Sequence, residues 1–356
     1  MAGVLMSHVG SRPIFLAAAL VVILWGINQA QYVLVLLLVS VFLAILGTVP
    51  LRWMERHRVP SVLAVGVVMV VMLAFLVVLG GVVGASLTNF YDALPAYRIR
   101  MHDLVLSLKH VSKAHGVVIT DETLLRSLNP AGVMDLTASL LSSLGSALSN
   151  VLLILFTVLF ILLEASSFPI KLRSILEQPH AVFPGVTRFV GQIKRYMVIK
   201  TLINLVAGVL TTLWLLILGV DFPVLWGFLA FLFHYVPNVG SIVAAVPAML
   251  LALVQFGPGS AALTAGGYIA IGAILGNVIE PRIMGRRLGL STLVVFLSLV
   301  FWGTLLGVVG ALLCVPLTMT LKLACESRQD TLWIAVLLGS EVVPSTGPVR
   351  SPKGRA

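Results

Sequence analysis

The stretch GNVIEPRIMGRRLGL, residues 276–290, sets Glu280 beside Arg282, Arg286 and Arg287 at the end of a long apolar run. A carboxylate so placed has two chemistries open to it. It can pair with the arginines and fix a turn at a membrane surface, or it can take up a proton or cation when a partner moves away. Glu164 and Asp221 also stand at the ends of apolar segments. For them, snorkelling or helix capping competes with an ion-coupling role. A second interrupted run carries His234, Tyr235, Pro237, Asn238 and Gly240, and Asn277 precedes Glu280 by three residues. Polar side chains in hydrocarbon are costly and face a cavity or a partner. His234, Asn238 and Asn277 therefore either line a substrate path or hold the fold together by hydrogen bonds.

Other chemistry is not signalled. The chain has no Walker A loop, zinc signature, nucleophile elbow or acidic metal cluster. The glycine-rich pieces lie inside apolar runs and lack the strand-to-helix setting of a phosphate cradle. An ATP-driven pump and a conventional enzyme are thus disfavoured, and no catalytic residue, metal or cofactor is expected. Cys314 and Cys325 match neither metal spacing nor a secreted disulfide framework and read as packing residues.

These residues are positioned by a chain that is 59% hydrophobic and 10% charged over 356 residues, with a mean hydropathy of +1.10. A soluble surface needs roughly a quarter of its residues charged, so the expected class is an all-α, polytopic integral membrane protein. The net charge of +10 comes from cations that punctuate apolar runs rather than forming one patch. That pattern fits cytoplasmic loops, not nucleic-acid binding. Spans are expected at 13–28, 31–50, 61–84, 140–163, 201–219 and 260–279, with two longer interrupted stretches at 221–255 and 291–323. This makes about eight membrane segments. The first run follows Arg12 and is expected to be an uncleaved span, because a second run follows it at once.

Loop charge sets the expected orientation. Arg52, Arg56 and Arg58, the cluster from Lys171 to Lys200, and the arginines after Glu280 all fall on one side if both termini are cytoplasmic. The organisation read from this is a three-span region at 1–85, an extracytoplasmic helical lobe at 86–139, a transport region at 140–330 and a cytoplasmic tail at 331–356. The lobe carries five charges of each sign. Leu104, Leu108 and Val111 recur within it at helical spacing.

The two interrupted stretches resemble each other. LGVDFPVLWGFLAFLFHYVPNVGSIVAAVP (218–247) and LGLSTLVVFLSLVFWGTLLGVVGALLCVP (288–316) align Phe231 with Phe301 and Gly240 with Gly310. One clear span separates them, so the copies are inverted. Inverted repeats with broken helices are a recurring transporter plan. Two opposed hairpins are expected, with tips at Asn238 and Thr304 meeting around a substrate path. Gly80–Gly84, Gly272–Gly276 and Gly303–Gly307 are GxxxG pairs that favour close packing within or between protomers. A homo-oligomer is the expected assembly.

These two motifs, with the segment running from GNVIEPRIMGRRLGL through LCVPLTMTLK, resemble the signatures of the autoinducer-2 exporter family of bacterial membrane proteins. They cover about a third of the chain. The resemblance implies an inner-membrane secondary exporter of a small quorum-sensing furanone precursor, working without ATP. The broader family's sodium/proton antiporters supply the alternative, and an assembly protein without transport is a third reading. Motif positions carried over are Pro237, Asn238, Gly240, Asn277, Glu280, Pro281, Gly285, Trp302, Gly307, Gly310 and Pro316. Two departures stand out: His234 where the pattern has Asn, and Val308 where it often has Pro.

Overall fold

The computed structural model describes residues 11–114, 139, 150–165, 179–237, 239–284, 290–326 and 331–339. Every regular element among the described residues is helical: α1 (Ser11–Gln29), α2 (Gln31–Arg56), α3 (Ser61–Ala114), α4 (Val151–Glu164), α5 (Pro179–Leu218), α6 (Pro223–Phe233) and α7 (Gly240–Phe256). There follow α8 (Pro258–Gly272), a π-helix (Ala273–Ile279), α9 (Glu280–Met284), α10 (Thr292–Leu312), α11 (Cys314–Glu326) and α12 (Leu332–Leu338). Hydrocarbon offers backbone groups no water, so a chain this apolar must satisfy them within each segment. Five of the helices are long and apolar enough to cross a membrane. Large apolar side chains such as Val62, Phe75, Leu152, Phe160, Ile217 and Ile269 point outward, as faces turned to lipid require. The chain is a multi-pass membrane protein.

The helix that begins the third span does not stop at the membrane length. It continues as α3 to Ala114, into the first part of the 86–139 segment. Most of the remainder of that segment, the start of the span expected at 140–163, and the end of the tail lie outside the described residues.

Packing forms four groups, the smallest of them Ile203 and Ala207 of α5 against Leu275 of the π-helix. Ala44 and Leu51 of α2, Ala64, Val65 and Val68 of α3, and Val158 and Leu162 of α4 make one buried cluster. Small residues allow the close approach; a Cβ on Gly47 would already touch Leu162 and Val68. The second group joins α5 to α8 with the middle of α3, where Phe90 stands edge-on to both Phe222 and Trp226. The third sets α10 and α11 against α2 and Tyr196 and Met197 of α5.

Both interrupted stretches are hairpins. In the first, α6 ends at Phe233 and α7 starts at Gly240, with a turn between them. Gly240 comes so close to the Phe233 carbonyl that any Cβ there would collide with it. The second hairpin is hidden inside α10, which carries a non-helical Gly307 at φ 66°, ψ −150°. In a straight helix, residues eight apart are separated by about 12 Å. Yet a Cβ on Gly310 would strike the Trp302 carbonyl, and one on Gly303 would lie 3.7 Å from Ala311 Cβ. Trp302 Nε1 also donates to Thr318 Oγ1 at 3.0 Å, sixteen residues on. The chain therefore doubles back at Gly307. α10 has the length of a span but folds back on itself, and its second limb continues into α11.

The two turns pack at different levels of α2, and Asn238, the expected tip of the first, lies outside the described residues. The first turn places Tyr235 edge-on to Phe42 of α2. At the second, Gly307 lies beside Gln31, the first residue of α2. Eleven residues of helix separate those two levels by about 16 Å. Thr304 is exposed, with its hydroxyl bonded to the carbonyls of Val300 and Phe301.

Candidate functional site

The polar groups converge on Lys200 of α5. It is 4% exposed, and its Nζ reaches both carboxylate oxygens of Glu280 at 2.8 Å. An ion buried in an apolar span is tolerated only when paired and hydrogen-bonded, and both conditions hold here. One turn on, Asn204 is fully buried. Its amide nitrogen faces the Lys200 carbonyl and its oxygen accepts from Tyr235 N–H, both at 3.1 Å. Thr201 donates to the Met197 carbonyl, so the 2.7 Å contact between Thr201 and Tyr235 has the phenol as donor. His234, next to Tyr235, lies within electrostatic range of Lys200, as does Cys314 on the second limb of the other hairpin.

Glu280 owes its direction to the π-helix. Thr264, Tyr268 and Leu275 mark the buried face of α8 and its continuation. Carried on at 100° per residue, Glu280 would emerge about 160° round from Thr264. The wider turns at Ala273–Ile279 hold back that rotation and bring the carboxylate to α5. Such π-turns recur at functional sites. Glu280 pairs with Lys200, a partner not named from the sequence; Arg282 is exposed, and Arg286, Arg287 and Gly285 lie outside the described residues.

A second polar cluster sits at the opposite end of the first hairpin. Tyr97 of α3 donates to Asp221 Oδ2 at 2.5 Å, and Gln255 Nε2 donates to the same oxygen. Gln255 Oε1 accepts from Asp221 N–H at 3.2 Å, and Trp226 Nε1 donates to the Asp221 carbonyl at 2.9 Å. Asp221 thus ties the two legs of the hairpin to α3.

The other sequence candidates are scattered. Pro237 and Gly240 belong to the first turn, and Asn238 lies outside the described residues. Trp302, Gly307 and Gly310 build the second hairpin, while Asn277 is exposed on the π-helix. Glu164 closes α4 at an exposed end. Lys200, Thr201 and Asn204 are the central residues that the candidate set omitted. Their signal was present: a cation and an amide on one face of an otherwise apolar span.

Helices with lipid-facing apolar surfaces, two apolar hairpins and a buried ion pair define a polytopic α-helical membrane protein of transporter type. The chain belongs to the AI-2E transporter family, whose model matches residues 14–328. It is 39% identical to the AI-2 transport protein TqsA of Escherichia coli strain K12 over 329 residues, covering 92% of this chain and 96% of that one. It is 38% identical over 322 residues to the protein of the same strain named "Putative transport protein YhhT", covering 90% and 92%. A Haemophilus influenzae relative named only as a transport protein of that kind is 37% identical over 328 residues, covering 90% and 94%.

Proposed function

We propose that this protein is a secondary exporter of autoinducer-2 in the bacterial inner membrane, with both termini cytoplasmic. The observation that carries the transport reading is the Lys200–Glu280 pair. It sits where the turn of one hairpin and a limb of the other pass α5, so a shift of either hairpin changes its surroundings. The cargo is suggested by TqsA, which is named for AI-2 transport and aligns along nearly its whole length. On this reading His234, Tyr235, Pro237, Asn238 and Gly240 serve one end of the path. Asn277 lies on its flank, and Trp302, Gly307 and Gly310 form the opposing hairpin. Glu280 is the coupling residue favoured over Glu164 and Asp221, because it has a buried cation to exchange for a proton or a cation.

The test is efflux of labelled autoinducer-2 from proteoliposomes, with and without imposed proton or sodium gradients. Faster efflux than from empty vesicles is expected. Sodium flux without autoinducer flux would replace this reading with the cation/proton antiporter. Glu280→Gln should retain autoinducer flux while losing its response to the gradient; an unchanged response makes the pair purely structural.

A further inference from the structure

We infer that the interior of the α5–α8 bundle binds a small uncharged, hydroxylated solute through the side-chain hydroxyls of Tyr268 and Thr264. This rests on the transport reading and names the class of molecule that passes. Thr264 is 0% and Tyr268 4% exposed. Neither Thr264 Oγ1 nor the Tyr268 hydroxyl has a hydrogen-bond partner among the described residues. Buried polar atoms are nearly always satisfied, because leaving one unpaired costs about 1–3 kcal/mol. Valine and phenylalanine would fill the same space without that penalty. Two such hydroxyls, four residues apart, lie on one face of α8, with Cβ atoms about 5–6 Å from each other.

That face looks into the bundle. Tyr268 belongs to the buried apolar cluster that also holds Leu215 of α5, Ala230 of α6 and Ala244, Ala248 and Leu251 of α7, side chains that neither donate nor accept. The α5–α8 crossing is held nearby, where Trp214 Nε1 donates to the Leu263 carbonyl at 3.2 Å and the indole covers Gly267.

Depth in the bundle gives the hydroxyls their meaning. Gly272 beside Ser241 marks the turn end of the first hairpin, and Tyr268 lies one helical turn below it. Thr264 is a further turn towards the base, where Asp221, Tyr97 and Gln255 meet. On α5 the buried face continues from Lys200 and Asn204 to Thr211, which is 2% exposed. Polar groups therefore run from one end of the bundle to the other. Between Lys200 of α5 and Asp221 beyond its end, and along all of α8, the sequence has no charged residue. A cation or anion halfway along would lack a counter-charge, at a cost no lone hydroxyl offsets. A neutral molecule carrying hydroxyls exchanges its water for Tyr268 and Thr264.

The experiment compares wild type with Tyr268→Phe and Thr264→Val in proteoliposomes, using autoinducer-2, erythritol and sodium as separate probes, with thermal melting of each purified protein. Each substitution should slow the neutral probes by about fivefold to tenfold, the value of one hydrogen bond. Melting should be unchanged or higher, since an unpaired hydroxyl has been removed. Unchanged flux in both variants, a large drop in melting temperature, or sodium passing faster than either neutral probe would overturn the inference. Erythritol flux without autoinducer flux, lost in the variants, would uphold it and refute the autoinducer reading. Flux of neither probe in wild type refutes both.

Discussion

Lys200 and Glu280 are 80 residues apart in sequence, and their pairing decides how each can be replaced. Removing one partner of a buried ion pair leaves the other charge without compensation, at about 3–5 kcal/mol. Replacing both with apolar residues removes the charges and the desolvation cost together. Lys200→Met alone is therefore expected to lower the melting temperature of the purified protein sharply. The double variant Lys200→Met/Glu280→Met should recover most of the loss while remaining inactive in gradient-driven flux. A single variant as stable as wild type would show that the pair is solvated. Glu280 was legible as a residue of interest, but not its partner. Arginines two to seven residues away are the obvious choice in sequence, and only the π-helix turns the carboxylate to α5.

At the scale of elements, the two hairpins share one device: a glycine on the returning limb lies against a carbonyl at the end of the first. Gly240→Ala and Gly310→Ala each push a methyl into the Phe233 or Trp302 carbonyl and should cost about 1–3 kcal/mol as the limbs part. Gly307→Ala adds backbone strain, because its φ is positive. Gly276 has nothing within 4 Å of an added Cβ, so Gly276→Ala should leave the yield of monodisperse protein in size-exclusion chromatography unchanged. Equal loss in all four would show that glycine serves helix flexibility generally rather than these turns. The match of Gly240 with Gly310 at an offset of 70 was readable in the sequence, and both positions hold the same contact. The offset between the hairpin ends was not readable, because it depends on which part of α2 each end packs against. GxxxG pairs likewise divide only in three dimensions. Gly272 meets Ser241 and Gly303 meets Ala311, whereas Gly80, Gly84 and Gly276 meet nothing in the chain's described residues.

For the whole molecule, cysteine labelling measures the orientation that loop charge predicts. With Cys314 and Cys325 replaced, single cysteines at Arg58 and Arg282 should be shielded in intact cells from an impermeant maleimide. One at Gly259, at the base of the first hairpin, should react. The reverse pattern would place the termini outside and overturn the loop-charge assignment. Helical, membrane-embedded architecture needed no more than composition and the length of the apolar runs, since unbroken runs of about 20 apolar residues satisfy their backbone as helices, not as the short strands of a barrel. The breaks at residues 234–240 and 307 were likewise signalled by glycine and proline in runs too long for one span. Only the tertiary structure decided that Lys200 answers Glu280, that Tyr235 and Asn204 close around them, and that the Thr264 and Tyr268 hydroxyls are buried without hydrogen-bond partners among the described residues. Those facts depend on how far each helix is rotated and how deep it sits against its neighbours. Local sequence sets the period of a helix, but the packing of the faces sets its phase.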